Sequence, residues 1–138
     1  MKILLPVDGS ETAARAVQFV MKQALNSKEA PELHLLNVQH ALPGTIKGVA
    51  DQAKQYHHDE GVKALSNARK LLDDAKIQYD YHIGVGEVGE VIAHFVKDLH
   101  CDQVVMGTRG MGSVANLLMG STATKVLHAV NVPVLLVK

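Results

Sequence analysis

The sequence predicts an α/β fold: a mostly parallel sheet with helices on both faces. Short apolar runs alternate with longer stretches of helical period along the 138 residues. The runs are continuously apolar, as strands covered on both faces are. Asp, Gly, Ser and Pro stand at the junctions between them. Strand–helix–strand units of this kind wind with right-handed crossovers.

The elements follow in order. Residues 2–7 (KILLPV) form a strand that runs into Asp8-Gly9-Ser10, a turn and helix-cap cluster. From Glu11 to about Leu25, Ala14, Val17, Phe19, Val20, Met21 and Leu25 recur at mostly helical spacing, and Pro31 closes that connection. Residues 32–38 (ELHLLNV) are the second strand, and residues 42–48 read as a loop. Residues 49–75 form a long polar helix whose stripe is Val62, Leu65, Ala68, Leu72 and Ala75. Gly61 is expected to weaken it near the middle, by about 1 kcal/mol relative to Ala. Residues 77–83 are the third strand and residues 89–100 the third helix, with Val91, Ile92, Phe95, Val96 and Leu99 facing inward. Residues 103–106 are the fourth strand, residues 121–130 the fourth helix, and Val132–Val137 the fifth strand. One domain spanning 1–138 is expected, without internal repeats.

Strand order is open at this point between a flavodoxin-like order and 3-2-1-4-5. In both, strand 1 has a neighbour from each winding, so a crevice opens at its carboxyl end. The loops after strands 1 and 4 are therefore where chemistry is expected.

Composition narrows the function. Lys+Arg and Asp+Glu are both 14, and the pI is about 7.1. A nucleic-acid or membrane-surface partner would call for a basic excess, so neither is expected. Phe19, Phe95, Tyr56, Tyr79 and Tyr81 are the whole aromatic complement, few platforms for stacked bases. Cys101 is the single cysteine and suits a reducing compartment. The start lacks a signal-peptide layout and no apolar run reaches membrane length, so a cytoplasmic location is expected.

Gly107-Thr108-Arg109-Gly110-Met111-Gly112-Ser113, with Gly120-Ser121-Thr122 beyond it, is the segment richest in chemistry. Gly107, Gly110 and Gly120 make the pattern G-x2-G-x9-G-[ST]. Glycine lets backbone N–H groups approach an anion closely, and hydroxyls at a helix start sit where the macrodipole favours phosphate. Arg109 adds a cation. The plain alternative is that the glycines only turn the chain and Ser121 only caps a helix. Asp8, at the end of strand 1, suits a ribose hydroxyl or a metal–phosphate group, or an ordinary Asx turn.

Gly84-Val85-Gly86-Glu87-Val88-Gly89 also fits the dinucleotide pattern G-x-G-x-x-G. Against a nicotinamide or flavin site there, the next strand ends without a ribose-binding acid, and Glu87 would meet the pyrophosphate as a like charge. The eight histidines show no H-x3-H spacing, and no metal site is expected from them. Cys101 stands at the wrong end of strand 4 for thiol catalysis. Neither G-x-S-x-G nor a Walker G-x4-G-K-[ST] occurs. Asp59-Glu60 and Asp73-Asp74 read as the solvated face of a helix.

V-D-G-S-E after strand 1, D-Q-V-V-M-G, T-R-G-M-G, L-L-M-G-S and the ending V-P-V-L-L-V resemble the universal stress protein family over the whole length, least so at residues 41–60. The resemblance implies a Rossmann-like sheet of order 3-2-1-4-5, of the adenine nucleotide alpha hydrolase type. For members with this glycine motif it implies ATP or AMP binding, with Mg2+ entering on the phosphates. Carried over by position, Pro6, Val7 and Asp8 would line the adenosine pocket, and the Val38 backbone would bond adenine. Met106, Gly107, Arg109 and Gly110 would contact ribose and phosphate, and Gly120, Ser121, Thr122 and Ala123 would hold the phosphates. It also implies a homodimer through Val132–Val137, which would cover an apolar edge strand. The function it implies is that of a nucleotide-binding sensor or regulator in stress response. A slow ATP-hydrolysing enzyme of the same fold is the alternative.

Overall fold

The computed structural model describes residues 1–42, 50–108 and 120–138. Among these residues five strands and four helices alternate: β1 (Lys2–Pro6), α1 (Glu11–Asn26), β2 (Glu32–Gln39), α2 (Ala50–Asp74), β3 (Asp80–Val85), α3 (Val88–Leu99), β4 (Gln103–Gly107), α4 (Ser121–Ala129) and β5 (Val134–Val137). The order is β3-β2-β1-β4-β5, and every recorded pairing is parallel.

The sheet divides the core into two layers, as its continuous apolar strands require. Ile3, Leu5, Leu33, Leu35 and Val105 face α1 and α2, meeting Ala13, Val17, Val20, Leu65 and Leu72. Leu4, Leu36, Val104 and Met106 face the other way, onto Ile92 and Val96 of α3 and Ala123 and Val126 of α4. Leu4, Leu5, Leu33, Leu35 and Leu36 are fully buried. Each such side chain contributes about 1.5–3 kcal/mol over exposure, which makes β1 and β2 the centre of the fold.

Local chemistry sets the ends. The Ser10 Oγ accepts from the Ala13 N–H at 3.2 Å and starts α1. Lys76 takes a left-handed conformation (φ 57°), and the Ile77 N–H bonds back to the Leu72 carbonyl at 3.0 Å, closing α2. That closure uses Lys76 and Ile77, and β3 starts at Asp80 and not at the expected Ile77. β5 likewise starts at Val134, after Pro133, which has no N–H but whose carbonyl accepts from the Val104 N–H at 3.0 Å.

α2 runs unbroken through Gly61. It is buried, and a Cβ there would lie 2.7 Å from three atoms of the Ile83 side chain. The glycine is what lets α2 approach β3. Among the described residues no helix is long and apolar enough to cross a membrane.

Candidate functional site

The carboxyl ends of β1, β2 and β4 meet at the place the winding predicts, and a cavity of about 270 Å³ opens there. From β2 and α3 it receives mainly apolar side chains: Leu36, Val38, Val88 and Ile92, joined by Met106 of β4. From the starts of α1 and α4 it receives Ser10, Thr12, Ser121 and Thr122, with Lys125 one turn further along α4. An apolar wall facing a polar, cationic one suits a ligand with a flat apolar part and an anionic part.

The start of α4 is the chemically distinctive part. α1 is capped by Ser10 and α3 by Glu87, but the N-cap of α4 is Gly120, with no side-chain cap hydrogen bond. The Gly120 N–H donates to the Thr108 carbonyl at 2.6 Å, pinning the helix start to the end of β4. Ser121 is thus the first helical residue rather than the cap, and α4 presents its N-terminal dipole to the cavity.

Close packing holds this geometry. A Cβ on Gly107 would lie 2.6 Å from the Thr12 Oγ1 and 2.8 Å from its backbone carbon, so only glycine lets β4 end against the first turn of α1. Asn37 is buried, donating from Nδ2 to the Val7 carbonyl at 2.8 Å and accepting at Oδ1 from the Gln39 Nε2 at 2.6 Å. It fixes the exit of β1 beside the end of β2. The exposed Asp8 accepts from the Ser10 N–H at 2.9 Å, forming the Asx turn, and also lines the cavity. Gly9 turns there with φ 86°.

Pro6, Val7, Asp8, Val38, Met106, Gly107, Ser121, Thr122 and Ala123, all expected at the site, line the cavity together. Gly120, the buried N-cap of α4, is not among the lining residues. Arg109 and Gly110 lie outside the described residues. Sequence reasoning missed Thr12, Asn37, His40, Thr108 and Lys125 among the lining residues. A signal existed for Asn37, a polar residue inside an apolar strand, and for Lys125, one helical turn beyond Ser121.

The competing motif is filled by the protein itself. The Glu87 carboxylate accepts from the Glu90 N–H at 3.0 Å, so the start of α3, where a pyrophosphate would sit, is already capped by an anion. This bond and that of the Gly89 N–H hold the Glu87 carboxyl below the usual range. Its glycines serve packing. A Cβ on Gly84 would lie 2.5 Å from the Val91 side chain, and one on Gly89 3.1 Å from the Lys125 carbonyl of α4.

Comparison with known proteins agrees with this architecture. The universal stress protein family model matches residues 1–138. The chain belongs to that family. The universal stress protein MJ0577 of Methanocaldococcus jannaschii is 28% identical over 152 residues, covering 99% of this chain and 94% of its own. The solved structure of MJ0577 superposes with a TM-score of 0.82 at 31% identity, covering 99% of this chain and 94% of that one. A universal stress protein of Thermus aquaticus is 33% identical over 142 residues, 99% of this chain and 97% of its own. A universal stress protein family protein of Arabidopsis thaliana, solved with AMP bound, shares the fold at 20% identity, with a TM-score of 0.69 and coverage of 100% and 91%. The sheet of this universal stress protein is thus the Rossmann-like, adenine nucleotide alpha hydrolase-like one.

Proposed function

We propose that this universal stress protein binds an adenine nucleotide, ATP or AMP, in the cavity at the end of β1 and acts as a sensor or regulator in stress response. The observation that carries the reading is the start of α4, which opens on the cavity without a side-chain cap. A phosphate accepts the N–H groups that a cap would otherwise take. Lys125 supplies a cation nearby, and its present partner, Glu87 at 3.9 Å, is an exposed surface pair that a phosphate can displace. Leu36, Val38, Val88 and Ile92 offer the apolar wall for adenine, with the Val38 backbone as its hydrogen-bonding edge, and Asp8 stands at the ribose. Pro6, Val7, Met106 and Gly107 complete the adenosine side. Gly120, Ser121, Thr122 and Ala123 hold the phosphates together with Arg109 and Gly110, and Mg2+ enters on the phosphates. AMP in the Arabidopsis relative of the same fold supports this choice of ligand.

Binding is favoured over rapid hydrolysis. Asp8 is the carboxylate among the described lining residues, and its Oδ1 already accepts the Ser10 N–H. The protein acts as a cytoplasmic homodimer joined through β5, an apolar strand at the edge of the sheet.

Titration calorimetry of the full chain with ATP and with AMP tests the reading. Ser121→Pro removes an N–H and a hydroxyl at the first helical position, where proline fits the helix. It is expected to weaken binding about tenfold, or about 1.4 kcal/mol, with the helix content unchanged. Unaltered affinity in the folded variant removes α4 from the site.

A further inference from the structure

A second polar cluster lies at the other end of the sheet, where β2 and β3 begin. Strand alternation puts Glu32 and His34 on one face of β2, and Asp80 and His82 on one face of β3. The register pairs His34 with Asp80 and Leu36 with His82, so the two acid-x-His segments lie side by side, offset by one step of the pleat. The His34 ring is buried, while the Glu32 and Asp80 side chains keep 52% and 69% of their exposure. Among the described residues, Glu32, His34 and Asp80 are the group whose donor atoms lie within 4.8 Å of one another.

The hydrogen bonds fix the role of each ring nitrogen. His34 Nε2 is 3.2 Å from the Glu32 Oε1, and since a carboxylate accepts, Nε2 carries the proton. The His34 Nδ1 lone pair then points at His82 Nε2, 3.0 Å away, and Asp80 Oδ2 lies 4.0 Å from the same Nδ1. His82 Nε2 and Asp80 Oδ2 thus both lie near His34 Nδ1, and the Glu32 carboxylate holds the far side of the His34 ring. That is the arrangement in which a histidine ligand is oriented by an acidic partner. Ligand atoms on a tetrahedral zinc ion are separated by about 3.3 Å, given bonds of about 2.0–2.1 Å. The observed 3.0 and 4.0 Å straddle that value, and Asp80 is exposed enough to close the difference by side-chain rotation.

We propose that His34 Nδ1, His82 Nε2 and Asp80 bind a divalent transition-metal ion of the zinc class, with Glu32 orienting His34. Imidazole with carboxylate suits such ions better than calcium or magnesium. To become a ligand, His82 gives up its hydrogen bond to His34 Nδ1, turns its ring aside and carries its proton on Nδ1 instead of Nε2. Two carboxylates around two neutral rings balance the ion's charge, and water from the exposed side completes the shell. Lys2, whose Nζ lies 3.8 Å from Glu32 Oε2, is a cation beside the cluster, paired with the orienting Glu32. The site is independent of the nucleotide cavity, which lies at the carboxyl ends of the strands.

The test uses the full chain, stripped with chelator and free of nucleotide. Calorimetric titration with zinc chloride is expected to show one ion per chain. Cobalt chloride is expected to give the visible absorption of a low-symmetry site with nitrogen ligands. Asp80→Asn and His82→Gln are each expected to weaken zinc binding by about tenfold or more, and Glu32→Gln by about tenfold. His94→Gln, at an exposed pair with Asp98, is expected to leave affinity unchanged. Because Asp80 is exposed, Asp80→Asn keeps the test valid if His82→Gln perturbs folding. Absence of one-to-one binding, or zinc affinity unaltered in Asp80→Asn, overturns the proposal. Loss of binding in His94→Gln places the ion elsewhere and overturns it equally.

Discussion

Gly107 and Gly61 look alike in the sequence and do different work in the structure. At Gly107 a methyl group would strike the backbone of Thr12 as well as its side chain. Gly107→Ala is therefore expected to cost about 1–3 kcal/mol, the usual range for overpacking, measured by chemical denaturation. At Gly61 two effects oppose each other. Alanine gains about 1 kcal/mol of helix propensity, but it would meet the β-branched Ile83 at 2.7 Å. Rigid Cγ atoms cannot swing aside as the end of a long chain can, so packing outweighs propensity. Gly61→Ala is expected to destabilise by about 1 kcal/mol net. In an Ile83→Ala background the sign should reverse, and a double-mutant cycle would show it. A stabilising Gly61→Ala in the natural background would sink this account. The sequence signals a glycine but not what approaches it, which is why Gly61 reads there as a weak point.

The helix ends differ in what occupies them. Ser10→Ala should destabilise α1 by about 1 kcal/mol. Glu87 gives α3 a pH dependence. Its carboxyl is held below its ordinary value, chiefly by the Glu90 and Gly89 N–H groups. Its contribution is therefore complete above the unfolded value of 4.5 and disappears as pH falls through the lower, folded one. Unfolding titrations below pH 4.5 should show a steeper loss of stability in the natural chain than in Glu87→Gln. Gly86→Ala should separate stability from binding. Gly86 has φ 144°, so alanine is strained there, while ATP affinity should stay within about threefold, or about 0.65 kcal/mol. Loss of ATP binding in a folded Gly86→Ala would restore the dinucleotide reading. Most elements were legible because apolar runs and cap residues mark them directly. The start of β3 was not, because Lys76 and Ile77 close α2 through a backbone conformation that no residue type there announces. The dinucleotide pattern misleads for a related reason: it records glycines, while the cap made by the Glu87 side chain depends on its orientation.

At the scale of the molecule, the crevice between the two windings was legible because it follows from chain direction and handedness alone. The Glu32–His34–Asp80–His82 cluster was not, because its members meet only through the register of two strands. The proposed dimer also rests on an edge. Pro133 and Val137 turn their carbonyls toward β4, so alternation turns the backbone groups of Val134 and Leu136 outward. Leu136→Pro removes an outward N–H without touching a bond to β4. If β5 pairs as proposed, sedimentation should find the natural chain dimeric and this variant monomeric, and a variant dimer of unchanged size would exclude edge pairing.

The pairing of β1 with β4 also bears on how the molecule is made. Leu4 meets His34 across a short stretch of chain, but its other partner is Val104. Closing the longer loop costs about 1 kcal/mol more in chain entropy, and such distant pairings slow folding. During synthesis β1 has only β2 beside it until nearly four-fifths of the chain exists. The cavity between them is therefore a late product of assembly. A nucleotide can reward the finished protein but cannot guide its earliest steps.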